Sequence, residues 1–246
     1  MVGHVEDLFA PFAERYDPSL GEMGEASKID PVVEVLAELA GDGRALEFAI
    51  GTGRIALPLA ARGVPVAGID LSEPMVAELR KKPGGHEVPV AIGSMTSTRI
   101  EGSFRVVYLV YNTIGNLASQ DLQVECFGNA AAHLEPGGCF VIELEVPALR
   151  RLPPGDRFVV FSATERHGGI DEYAPATQTL VSHHYSSKGH SSMPFRYAWP
   201  AELDLMARLA GMRLRERWAD WDRSPFTDDS NKHVSIWEKA QQPLSS

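Results

Sequence analysis

The chain reads as an α/β protein: a doubly wound, mostly parallel sheet with an antiparallel last strand, plus an antiparallel β insert after strand five. Three observations predict this. Short apolar runs alternate with helical stretches from residue 45 to residue 146. Those runs lack strict alternation, as strands covered on both faces do. After Pro147 the texture changes to Pro, Gly, Ser, His and aromatic residues until residue 198.

In order, residues 4–16 and 30–40 carry apolar positions at helical spacing. The second has Asp30 as expected N-cap, Pro31 at the first helical position and Gly41 as its end. Residues 1–43 are thus expected to form a helical cap. Strands are expected at 45–50, 64–70, 88–92, 104–110 and 138–146, with helices at 54–62, 73–82 and 119–134. The insert, 147–198, is expected to supply three antiparallel strands within RFVVFSATERH, TQTLVSHHYSS and SMPFRYAWP, lying as a lid over the carboxyl ends of the sheet. A helix at 200–210 and two strands, 212–220 and 232–240, close a single domain spanning 1–246.

The formal net charge of -10 disfavours a nucleic-acid partner, which requires a basic footprint. Arg213, Arg215 and Arg217 would share one strand face, which reads as a solvated face. Cys126 and Cys139 lie in apolar stretches without metal-ligand spacing and read as reduced buried thiols of a cytoplasmic protein. There is no signal-peptide pattern and no apolar run long enough for a bilayer, so no membrane partner is expected. Asp220, Asp222, Asp228 and Asp229 lack metal-site spacing, and no metal is expected.

The chemical signal is LEFAIGTGR, residues 46–54, where a buried strand turns into a helix. Gly51 and Gly53 permit a sharp turn and close approach of a ligand to the backbone. Asp70 ends the next strand, where a carboxylate can accept hydrogen bonds from both hydroxyls of a ribose. The run Gly51 to Ala56 also fits the Rossmann dinucleotide fingerprint, so an NAD(P)-dependent oxidoreductase is a rival. Against it, Glu47 would lie unfavourably beside a pyrophosphate but suits a ligand with an amino group. No Tyr-x-x-x-Lys pair occurs in the chain.

These residues resemble the class I S-adenosylmethionine-dependent methyltransferase family, with its Rossmann-like fold. Glu47, Gly51 and Gly53 match its glycine-rich motif; Asp70-Leu71-Ser72 and Met75 its second-strand motif; Gly93-Ser94-Met95 its third. LEPGGCFVIE (134–143) is similar to its turn into strand five. Ala49 replaces the first glycine, and Ser94 stands where an aspartate often meets the adenine amino group.

The resemblance implies S-adenosyl-L-methionine as cofactor. It places Asp70 on the ribose, Leu71 and Met95 about the adenine, the backbone from Ala49 to Gly53 beside the methionine part, and Tyr111 and Asn112 where cofactor and acceptor meet. Tyr16 is a candidate cap over the cofactor and a candidate catalytic group. Lys28 is a candidate partner for the cofactor carboxylate.

Methyl transfer requires in-line placement and, where needed, a base. His183 in the insert is a candidate base; His184 next to it would face the opposite side of a strand. His133 is expected to complement a helix C-terminus. Trp218 and Trp221 suit either an acceptor pocket, core packing or a dimer contact. The expected function is methyl transfer to the N or O of a small molecule, with a homodimer as a possible assembly. A non-catalytic binding module of this fold is the third reading, opposed by the intact Glu47, Gly51, Gly53 and Asp70. The layout is similar to that of bacterial aminosugar methyltransferases.

Overall fold

The structure is a computed structural model that describes residues 7–187 and 189–241. Residues 4–6 of the first expected helix therefore lie outside the described residues. A short 3-10 turn, Ala10–Phe12, leads into α1, Ala13–Ser19. Then follow α2 (Ala26–Ala40), β1 (Ala45–Phe48), α3 (Ala56–Ala61), β2 (Val66–Asp70), α4 (Glu73–Arg80), β3 (Val90–Ile92) and β4 (Phe104–Leu109). A 3-10 turn, Thr113–Asn116, precedes α5 (Gln120–His133) and β5 (Leu134–Glu145). The insert holds β6 (Phe158–Ala163), β7 (His167–Ala174), β8 (Thr179–Ser186) and β9 (Gly189–Arg196). α6 (Pro200–Leu209), β10 (Met212–Trp218) and β11 (Lys232–Lys239) complete the chain.

Seven strands form one sheet in the order β10-β11-β5-β4-β1-β2-β3. β1 to β5 run parallel, while β11 is antiparallel to both β5 and β10. The chain winds outward from β1 to β3, returns to β4 and winds the other way. This leaves a crevice between β1 and β4 at their carboxyl ends. Fully buried strands such as β1 and β2 explain the continuous apolar runs. One core, with Phe48, Phe127, Phe140 and Trp237, lies on one sheet face; a second, with Leu36, Leu59, Tyr108 and Ile236, lies on the other. Trp221 is buried in the second core, and Trp218 packs against it.

Three expectations change. α2 begins at Ala26, one turn before Asp30, so Asp30 is not its N-cap and Pro31 lies inside the helix. Proline supplies no backbone donor, and its place near the start of α2 limits the loss to the first turns. The insert is a four-stranded antiparallel sheet, β6-β7-β8-β9, rather than three strands. The extra strand, β7, contains Gly168 and Gly169, which read as a turn; pairing with β6 and β8 on both sides overrides that weak propensity. Arg213, Arg215 and Arg217 do not alternate on one face, because the β10 register slips between Leu214 and Glu216. Arg217 pairs with Asp204, and Arg215 reaches Cys139 Sγ at 3.5 Å. Cys126 and Cys139 are buried and unpaired. Among the described residues no helix is long and apolar enough to cross a membrane.

Candidate active site

An open cavity lies at the carboxyl ends of β1, β2 and β4. The glycine loop forms its floor. Ala49 and Gly51 have φ of 51° and 55°, so the chain leaves β1 in the left-handed region. Gly51 is suited to this, whereas Ala49 holds the conformation against steric preference. Gly53 has φ of 78° and faces away from the cavity. A Cβ on it would meet Leu57 and Leu79 at 3.0 Å, so Gly53 allows the loop to pack against α3 and α4.

Asp70 fixes the floor to the wall. Its carboxylate accepts from Gly51 N at 2.6 Å and from Ser72 N at 2.7 Å. Burial raises its pKa above the ordinary value, and these backbone donors oppose the rise. Ser72 caps α4 by accepting from Met75 N, which sets Met75 against the loop. Glu47, buried within β1, accepts a hydrogen bond from Tyr108 Oη at 3.0 Å. Burial pushes its pKa up to about 8, with Tyr108 and Arg54 opposing.

The cavity therefore brings together Tyr16, Glu47, Ala49, Gly51, Asp70, Leu71, Met75, Ser94, Met95 and Tyr111. Ser94 Oγ accepts from Thr96 N at 3.2 Å, which shapes the turn after β3. Tyr16 enters from α1, with its pKa raised to about 12 mainly by burial. Tyr111 and Asn112 follow β4 with φ of 60° and 59°, two successive left-handed residues of the kind that cluster at functional sites. Glu143 accepts from Tyr111 N, and Asn112 Oδ1 accepts from Glu145 N at 2.7 Å, so the end of β5 holds this strained loop.

Other residues stand elsewhere. Asn112 does not line the cavity; its side chain is spent on Glu145. Lys28 is exposed on α2 and away from the cavity. His183 lies on β8 beside Ser192, His190 and Glu172, outside the cavity. His133 is buried at the end of α5. Its Nδ1 bonds Asn129 O and its Nε2 accepts from Ile100 N, which makes it the neutral Nδ1–H tautomer.

Asp7, Phe9, Thr113 and Asn116 line the cavity with no motif to announce them, and Arg54, inside the glycine-rich run, had no assigned role. The Arg54 guanidinium lies 5.0 Å from the Tyr111 ring centre, and it is the only lysine or arginine among the described lining residues. Asn116 Oδ1 is buried without a protein hydrogen-bond partner. Asp17 ties α1 to the loop by accepting from Thr52 Oγ1 at 2.6 Å and by pairing with Lys82 at 2.5 Å.

The cavity suits S-adenosylmethionine by its donor set. Two water-starved carboxylates call for hydroxyl and ammonium donors, the unpartnered Asn116 oxygen calls for an N–H, and Arg54 answers a carboxylate. Met75, Met95 and Leu71 supply apolar, polarizable walls.

Comparison with known proteins agrees. Residues 45–138 match a methyltransferase domain. The CcbJ methyltransferase from Streptomyces caelestis is 36% identical, with a TM-score of 0.79 over 96% of this chain and 97% of that one. The cypemycin N-terminal methyltransferase of a Streptomyces species is 26% identical over 247 residues, 91% of this chain and 99% of its own. The S-adenosylmethionine-bound amino pentose methyltransferase CalS10 from Micromonospora echinaspora shares the fold, with a TM-score of 0.64, 19% identity, and coverage of 95% of this chain and 99% of that one. With its motifs and cavity in agreement with a relative 36% identical over nearly its whole length, this chain belongs to the class I S-adenosylmethionine-dependent methyltransferase family.

Proposed function

We propose that the enzyme methylates an amine nitrogen of a small molecule, with the acceptor entering between Tyr111 and the insert. The observation that carries this is the acidic character of the acceptor side. Tyr111 stands at the cavity wall on a loop held by Glu143 and bonded to Glu145 through Asn112. Burial raises the pKa of Glu145, with Asp171 of the insert and Glu143 adding to the rise and Lys232 opposing it; burial likewise keeps the Tyr111 phenol neutral, with Glu145 and Glu143 adding and Arg54 opposing. Such a mouth attracts an ammonium-bearing molecule and repels an anionic one. An amine acceptor also agrees with relatives named as an N-terminal methyltransferase and an amino pentose methyltransferase.

In this reading Asp70 holds the ribose hydroxyls, while Leu71, Met75, Ser94 and Met95 surround the adenine. Glu47 takes the ammonium of the methionine part, Arg54 its carboxylate, and Tyr16 covers the cofactor from α1. The bound cofactor supplies an activated methyl group. The residues of the chain supply placement and exclusion of water. The insert serves as the lid over the acceptor.

The test is turnover with S-adenosylmethionine against a panel of amino sugars, amino-terminal peptides and catechols, read by mass spectrometry. Methylation confined to amines is the expected result. Methylation of catechol oxygens alone would overturn the choice of nitrogen.

A further inference from the structure

The insert carries a hydrogen-bonded chain that the cofactor site does not use. Residues paired directly across antiparallel strands share a face. Tyr173, Leu180 and Phe195 therefore form one row on the same face, Asp171, Ser182 and Met193 the next, and Gly169, His184 and Ser191 a third. The first row meets the main domain. Tyr173 bonds the backbone at Ala148, just beyond β5, and a Cβ on Gly115 would lie 3.6 Å from Phe195. This inner face thus looks toward the loops after β4 and β5, and its rows climb outward from there.

Along it runs a continuous polar line. Ser182 donates to the Asp171 carboxylate. His184 Nε2 lies 3.3 Å from Ser182 Oγ, His184 Nδ1 lies 3.0 Å from His167 Nε2, and His167 Nδ1 lies 2.8 Å from Ser162 Oγ. The Phe161 ring covers both imidazoles, with centres 5.4 Å from His184 and 6.2 Å from His167. With Asp171 ionised, one arrangement satisfies every atom. Ser162 donates to His167, His167 to His184, His184 to Ser182, and Ser182 to Asp171. Every dipole then points at the carboxylate. His183 faces away, with Ser192 and His190 on the outer face.

We propose that Asp171 takes the proton freed from the methyl acceptor, and that the Ser182–His184–His167–Ser162 chain is a positioning device that aims it. This rests on the reading that the acceptor lies between the end of β5 and the insert. Once the ammonium has released one proton to solvent, the lone pair of the neutral amine bonds to the methyl carbon and the carbon–sulfur bond breaks with its pair going to sulfur. The acceptor's proton passes to the Asp171 carboxylate, so the sulfonium and carboxylate charges cancel. Burial raises the pKa of Asp171, which makes it a better proton acceptor, while Ser182 and the nearby imidazoles limit the rise.

His184 is kept neutral by burial and by His167; Asp171 favours its protonation and His183 opposes it, while Ser191 is its partner on β9. Protonating His184 would place an N–H against the N–H of His167 and break the line.

Two readouts test this. In histidine NMR titrations, Asp171→Asn is expected to move the His184 pKa downward, and Ser182→Ala to perturb it as well. Unchanged His184 titration in both variants overturns the chain, whether or not an acceptor is turned over. With an amine from the panel, Asp171→Asn is expected to lower kcat about a hundredfold with S-adenosylhomocysteine affinity unchanged. His184→Gln is expected to lower kcat about tenfold and to change the acid limb of the pH profile. Wild-type kcat in Asp171→Asn overturns the proton role. A wild-type enzyme that binds S-adenosylhomocysteine but methylates no amine overturns the amine reading instead, and the NMR result still decides the chain.

Discussion

Glu47 is a carboxyl group removed from water inside β1, accepting from the Tyr108 hydroxyl and from the Ala56 backbone N–H. Burial pushes its pKa from 4.5 to about 8. Between those values the folded chain holds a proton that the unfolded chain has released, so this group's contribution to stability is lost as pH rises through the window. An ammonium placed against Glu47 favours the ionised form and expels the proton. Calorimetry of S-adenosylhomocysteine binding at pH 7 in buffers of different ionisation enthalpy should therefore detect proton release, and Glu47→Gln should abolish it. Buffer-independent heats in the wild type would remove Glu47 from this role. Glu47, Gly51 and Asp70 were legible in the sequence because their spacing around a strand-turn-helix leaves few alternatives. Asp7, Arg54 and Asn116 were not. Each is one polar residue among many, and only the folded loops bring them to the same cavity.

At the scale of elements, β1, β2, β4 and β5 were readable because a strand buried on both faces leaves an unbroken apolar run, and the edge strand β3 because its run is apolar though half-exposed. The insert was less readable, since its strands are partly exposed and the periodicity is blurred by a bulge in β6 and by the glycines of β7. Its attachment rests on Arg196 at the end of β9, which is only 4% exposed. Arg196 pairs with Glu202 of α6 at 2.7 Å and donates to Gln178 at 3.2 Å and to Gln123 of α5. Removing one partner of a buried ion pair leaves an uncompensated charge, at a cost of about 3 kcal/mol. Arg196→Ala should lower stability by about that amount in urea unfolding. Arg196→Ala together with Glu202→Leu should recover part of it. A single variant as stable as the wild type would show that apolar contacts alone seat the insert.

For the whole molecule, the order of motifs announced the sheet and its switch point, whereas the docking of the first turns on the cavity was anticipated only at Tyr16, through the family resemblance, and not at Asp7, Phe9 or Asp17. Phe9 and Tyr16 meet edge to face, with ring centres 6.2 Å apart, and both line the cavity. Asp17 joins this layer to the glycine loop through Thr52 and Lys82. Losing a charged hydrogen bond of this kind costs about 1.5–3 kcal/mol where it is buried and less where, as here, water shares it. Asp17→Ala should weaken S-adenosylhomocysteine binding about fivefold and hasten proteolysis ahead of Ala26. Unaltered affinity and cleavage would show that the layer is seated by its aromatic contacts alone.

The antiparallel β11 has a consequence for handling the enzyme. It carries the chain away from the cavity, since Lys232 lies beside Glu145 and Glu238 lies beside Cys139. Asp7 lies on the cavity wall. A fluorophore or tether joined behind Gln241 would thus report on the enzyme from the quiet end of the sheet. The same label ahead of Asp7 would sit at the threshold the methyl donor crosses.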